Sequence, residues 1–164
     1  MTNLRVVLTA LVAAKASFVV IGGIAMQLQG SQYLTDDLDL VYERSRANAE
    51  KLVSALRQFE PRPRGFPEDL PFIFDVQTLI VAEVLTLETT VGDIDLLATV
   101  KGVGNYKAVE AASEPFALDD LSFRILSIDG LIAAKSAAGR SKDEAGIIEL
   151  RALKEAAENK DAGR

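Results

Sequence analysis

The sequence predicts an α/β (α+β) fold: a single domain with a mixed central sheet flanked by helices. Three observations carry that expectation. Short runs rich in Val, Ile, Leu and Thr recur between stretches with apolar residues at helical spacing. A length of 164 residues suits one domain with a sizeable core. The composition, 49% hydrophobic and 26% charged, is an ordinary globular balance that argues against disorder.

Taken in order, residues 3–15 place apolar side chains on one helical face. The interrupted apolar segment, with Thr9 inside and Lys15 after it, reads as an amphipathic first helix rather than a signal peptide. FVVI at 18–21 is a short strand ending in Gly22-Gly23, and 24–29 reads as a short helix. DLDLVY at 37–42 alternates with a period of two, as a strand does. A helix follows from Ser45, which can cap it, to about Gln58.

PRPRGFPEDLP at 61–71 carries four prolines in eleven residues and reads as a loop between elements. Segments 72–76, 79–88 and 93–100 are expected as strands, with Gly92-Asp93 as the turn into the last. A helix at 105–112, a short strand near 122–127, and a C-terminal helical part at about 128–158 complete the series. No apolar run approaches the ~20 residues that span a membrane. A location in the cytoplasm, with no membrane partner, is expected.

Composition also narrows the chemistry. The chain has no cysteine and no histidine, which excludes disulfides, thiolate nucleophiles, imidazole bases and zinc sites of the usual kind. Carboxylates, Lys, Arg, hydroxyls and backbone amides remain, and hard oxygen ligands favour Mg²⁺ or Mn²⁺. A net charge of −6 disfavours non-specific binding to nucleic acid.

The segment TDDLD brings Asp36, Asp37 and Asp39 together beside leucines. On a strand, Asp37 and Asp39 leave the same face with Cα atoms about 6.5–7 Å apart, and Leu38 and Leu40 point into the core. Such a pair repels unless a counter-charge is present, and a divalent cation supplies one. GDIDLL repeats the pattern with Asp93 and Asp95, so a neighbouring strand can add Asp95 to the set. Gly22-Gly23 lies just upstream, and backbone amides at such a turn suit an anion. Asp36 falls on the opposite face and reads as a solvated residue; Asp75 reads as structural.

Residues 18–44 resemble the signature of the nucleotidyltransferase superfamily, the polymerase-β-like fold. The pattern is a Gly-Gly or Gly-Ser turn, a helix, and a D-x-D strand preceded by a hydroxyl residue, here Thr35. VGDIDLL resembles the strand of the third acid. LIAAKSAAGRSKDEAGIIEL is similar to the K-x6-K-D helical motif of the AbiEii/MenT-like toxin nucleotidyltransferases and their uncharacterised relatives, on Lys135, Lys142 and Asp143, with Arg140 between the lysines. The likeness covers roughly residues 18–155.

The resemblance implies a metal-dependent transfer of NMP from an NTP such as ATP to a hydroxyl acceptor. Asp37, Asp39 and Asp95 would be the metal and catalytic acids, joined by Lys135. Gly22, Gly23, Thr35, Arg140, Lys142 and Asp143 would bind the nucleotide. The acceptor would be a tRNA, a protein or a small molecule, and a cognate antitoxin is an implied partner. Gly23 stands where Ser is often found, and the acidic chain departs from the basic tRNA-modifying toxins. Three alternatives stay open: an antibiotic-type small-molecule nucleotidyltransferase, a non-catalytic nucleotide-binding or interaction module of the same fold, and, for 140–144, a solvated helix start capped by Ser141.

Overall fold

In the computed structural model, which describes residues 2–163, the apolar runs expected as strands assemble one sheet. Helix α1 (Leu4–Ala13) buries Val7, Leu8 and Leu11 and leads into β1 (Phe18–Ile21), all four of whose residues are buried. Helix α2 (Gly22–Leu28) starts at the first glycine and is followed by β2 (Leu38–Tyr42). Ser45 caps α3 (Arg46–Leu56) by accepting from the Asn48 amide, as the sequence suggests.

Beyond α3 come β3 (Arg62–Pro63), α4 (Val76–Val81), β4 (Val84–Thr89), β5 (Gly92–Leu97), and the small pair β6 (Thr99–Val100) and β7 (Gly104–Asn105). Helix α5 (Tyr106–Ala111), β8 (Ser113–Leu118), β9 (Leu121–Leu126), α6 (Ile128–Ala138) and α7 (Glu144–Ala162) follow. The main sheet has seven strands in the order β3-β4-β5-β2-β1-β9-β8. It is mixed: β2 pairs with β1 antiparallel and with β5 parallel, and β1 pairs with β9 parallel. Helix α3 packs against α1 and α4, and α6 packs against α2 and α7.

The turn into β5 falls at Thr90-Val91, with Gly92 and Asp93 already in the strand, and two longer stretches differ from the expectation. Residues 72–75 are irregular, and VQTLIV forms helix α4 where strands at 72–76 and 79–88 are expected. The carboxylate of Asp75 decides it: it accepts from the Thr78 amide at 2.9 Å and the Thr78 hydroxyl at 2.8 Å, capping a helix that local β propensity disfavours. The second difference is β8, an edge strand pairing antiparallel with β9, where SEPFAL carries Pro115 and no clear alternation.

Asn48, on α3 and only 2% exposed, completes the pairing of Ser17 with Glu43, in which the Glu43 amide alone bonds directly, to the Ser17 carbonyl at 3.2 Å. Its side chain accepts from Ser17 N–H at 2.7 Å and donates to the carbonyls of Ser17 at 3.0 Å and Glu43 at 2.7 Å. It thereby ties the start of β1 to the end of β2. Among the described residues, no helix is long and apolar enough to cross a membrane.

Candidate active site

Strand register brings the aspartates together. Ile21 is paired with Asp39, Asp39 with Asp95, and Asp95 with Thr86, so one row crosses β1, β2, β5 and β4. Residues paired across neighbouring strands share a face, about 4.8 Å apart. Asp39 and Asp95 therefore stand side by side. Leu38, Leu40 and Ile94 are fully buried on the opposite face. Alternation thus reconciles acids and core, as the sequence indicates.

The glycine turn is shaped around these acids. Gly22 has φ +63, and a methyl group there would overlap the Asp39 carboxylate. A Cβ on Gly23 would lie 2.7 Å from the Thr35 methyl and 2.9 Å from the Tyr33 ring. The departure from Ser at this position thus has a steric cause. Thr35 also accepts weakly, at 3.4 Å, from the Asp37 amide just before β2.

Burial, then the charges of Asp95 and Asp37 and a hydrogen bond shared with Asp95, push the Asp39 carboxyl up from 3.8 to about 7. Burial also raises Asp95, offset in part by Arg64. Arg64, just past β3, is a member of the cluster that sequence reasoning missed. Its guanidinium is 2.8 Å from Asp95, 3.2 Å from Asp93 and 3.9 Å from Asp37. The available signal was a basic residue in a proline-rich loop of an acidic chain; its destination depends on pairing across the sheet. Burial works against the Arg64 charge, yet Asp95, Asp93 and Asp37 outweigh it and raise its pKa.

The donor set fits a hard divalent cation in kind: Asp39 and Asp95 are adjacent carboxylates, and Asp37 is linked to Asp95 through one guanidinium. It does not close as it stands. Among the described residues, no group of three or more carboxylates is arranged to hold a metal ion. Arg64 contributes its nitrogens where the oxygens would have to converge.

A second cluster gathers at the junction of α6 and α7. Asp143, 3% exposed, accepts from Lys135 Nζ at 3.1 Å and from Arg140 Nε at 2.7 Å. Burial pulls the Asp143 carboxyl up, but these donors prevail and hold it below the usual carboxylate range. Lys135 also lies 5.1 Å from the centre of the Tyr33 ring, and its stem passes over Gly146. Lys135 and Arg140 line a cavity of about 120 Å³ together with Gly22. Lys142 is exposed, because the turn that directs Asp143 inward directs its neighbour outward; it has no ion pair among the described residues.

A cavity of about 750 Å³ is walled by Leu4, Ile24, Gln27 and Leu34 and bordered by Asp36 and Asp37. Asp36 takes no part in the acid cluster; its carbonyl accepts from the Thr2 hydroxyl at 2.6 Å.

No family model and no curated protein matches the sequence. Among solved structures, the chain is similar to a Thermotoga maritima protein, a candidate nucleotidyltransferase whose crystal structure was determined at 1.87 Å. The TM-score is 0.58 over 90% of this chain and 92% of that one, at 14% identity. At that identity the likeness is one of fold, and the fold of this chain is nucleotidyltransferase-like.

Proposed function

We propose that the protein is a metal-dependent nucleotidyltransferase that moves NMP from an NTP to a hydroxyl acceptor. The observation that carries this reading is the in-register pair Asp39–Asp95 at the Gly22 turn, with Asp37 and a lysine–arginine cluster beside it. Asp37, Asp39 and Asp95 would hold Mg²⁺ or Mn²⁺, which when bound supplies positive charge to the phosphates and acidifies the acceptor hydroxyl.

The chain's own groups have separate tasks. Backbone amides at Gly22-Gly23 meet phosphate oxygens, and Thr35 keeps the Asp37 strand entrance against that turn. Lys135 and Arg140, on the small cavity with Gly22, attract the triphosphate, and exposed Lys142 extends the basic edge. Asp143 orients both partners it binds. Asp95, with its raised pKa, receives the acceptor's proton. The acceptor oxygen bonds to the α-phosphorus as the bond to the bridging oxygen breaks and pyrophosphate leaves.

The basic residues lie on the Gly22 side, so the acceptor is assigned to the large cavity beside Asp36 and Asp37. The likeness of 131–150 to the toxin-like motif favours an RNA or protein acceptor and a cognate antitoxin. The net charge of −6 weighs towards a protein.

A second reading, a non-catalytic module of this fold, is favoured by the ion pairs of Arg64 within the acid cluster. Calorimetric titration of each NTP with and without Mn²⁺ separates the two. The enzyme reading expects metal-dependent binding that Asp37→Ala weakens at least about tenfold, a loss of about 1.4 kcal/mol. Binding that ignores both the metal and Asp37 would exclude it. Incubation with labelled NTPs and a cell extract then identifies the acceptor as the molecule that becomes labelled.

A further inference from the structure

The loop after β3 is built to deliver one guanidinium to the acid cluster. Arg62 donates to the carbonyls of Pro67 at 2.9 Å and Leu70 at 2.8 Å, and its charge sits 5.6 Å from the centre of the Phe66 ring. Phe66 in turn packs against Phe72. The loop is thus closed on itself by its own side chains. Arg64 continues the β3–β4 ladder by one hydrogen bond, from its amide to the Thr86 carbonyl at 2.9 Å. Thr86 is the partner of Asp95, so the arginine emerges at the level of the acidic row.

From that anchor the three guanidinium nitrogens reach three different carboxylates: Nη2 to Asp95, Nε to Asp93 and Nη1 to Asp37. Two of the three, Asp37 and Asp95, are the oxygens assigned above to a divalent ion. A carboxylate oxygen that faces a guanidinium N–H at 2.8 Å has its lone pair engaged and cannot face a metal in the same direction. The side chain is 35% exposed and stands just past a two-residue edge strand, with Gly65 in open space next to it.

We propose that Arg64 is a displaceable counter-cation: it pairs with Asp37, Asp93 and Asp95 in the ligand-free protein and competes with a divalent ion for the first and last of them. The inference rests on the metal reading of the preceding subsection. Every ion that binds must first release the guanidinium, so apparent affinity is lowered by the share of molecules in which Arg64 is docked. The consequence is a protein reluctant to take up the ion alone. The triphosphate, itself an anion, gives the released guanidinium a new partner.

The test is calorimetric titration with MnCl₂ alone, without nucleotide, on wild type, Arg64→Gln, Arg64→Lys and the double variant Arg64→Gln/Asp39→Asn. Arg64→Gln is expected to bind Mn²⁺ about tenfold more tightly than wild type, a size typical of coupling between two ligands. Arg64→Lys, which keeps the charge and loses the fork, should fall between, and the double variant should lose the ion. An independent readout is the Arg64 Nε–H resonance, identified by its absence in Arg64→Lys, which should move towards the position of free arginine as Mg²⁺ is added. If Arg64→Gln binds Mn²⁺ no better than wild type while the double variant loses it, competition is refuted and the metal site stands. If neither wild type nor Arg64→Gln binds Mn²⁺, the metal reading falls and takes the competition with it.

Discussion

Replacing Asp39 with Asn should stabilise the metal-free protein at alkaline pH, although Asp39 belongs to the proposed active centre. Asp39 is largely buried, next to Asp95 and Asp37, and its carboxyl is pushed from 3.8 to about 7. For a raised carboxyl the sign is unambiguous. The unfolded chain ionises near pH 4 and the folded one near pH 7, so the wild type loses stability as pH rises across that interval. At 1.36 kcal/mol per pK unit, the loss still to come between pH 5 and pH 8 is about 2.6 kcal/mol. Asn carries no such penalty and retains the shape.

The advantage of Asp39→Asn over wild type should therefore grow by about 2.6 kcal/mol from pH 5 to pH 8. For a protein of this length that corresponds to roughly 5–10 °C in Tm. Thermal unfolding in chelator at the two pH values gives the difference directly, and any constant cost of the amide cancels. A gap that stays flat, or narrows towards pH 8, would refute the burial and like-charge account of Asp39.

Asp143→Asn should cost about 2–4 kcal/mol at pH 7, because Lys135, 13% exposed, loses its ionic partner; urea unfolding measures it. The depressed Asp143 carboxyl stabilises the fold above its unfolded pKa and loses that contribution as pH falls through the folded value, so the gap to wild type should close below about pH 4. Gly23→Ser should destabilise by about 1–3 kcal/mol through overlap with Thr35 and Tyr33, and an unchanged urea midpoint would contradict the steric account. Asn48→Ala should cost about 2–4 kcal/mol by leaving Ser17 and Glu43 backbone groups unpaired, with faster amide exchange at Ser17 as its local signature.

The pairing of acids with leucines in DLDLVY was legible because side-chain alternation is a local property. So was the Ser45 cap. Helix α4 was not, because VQTLIV has the residues of a strand and Asp75 outweighs them through two hydrogen bonds. The hairpin partner β8 was hidden for another reason: an edge strand with one proline shows no alternation, and only β9 defines it. In the site, the side-by-side placement of Asp39 and Asp95 matches the sequence reading. Arg64 escaped it because a residue in a proline-rich loop has no periodicity, and its position follows from Thr86 on another strand. The burial of Asp143 against Lys135 was hidden too, because folding back of α7 onto α6 converts what reads as a solvated helix start into a buried carboxylate.

The row from Ile21 to Thr86 also sets when the site can come into being during synthesis. Its β2–β5 step is a parallel pairing between segments made far apart in time, with α3, α4 and the proline-rich loop between them. Such contacts close late, since the intervening chain must be ordered first. A ribosome that has released the glycine turn and Asp39 has made only half of the centre, and β9, which flanks β1, emerges later still. The acidic row is therefore incomplete in the nascent protein until β5 has been made, and unflanked until β9 follows. For the same reason, a cut in the loop at 61–71 would divide the acids between two fragments, neither of which carries the row alone.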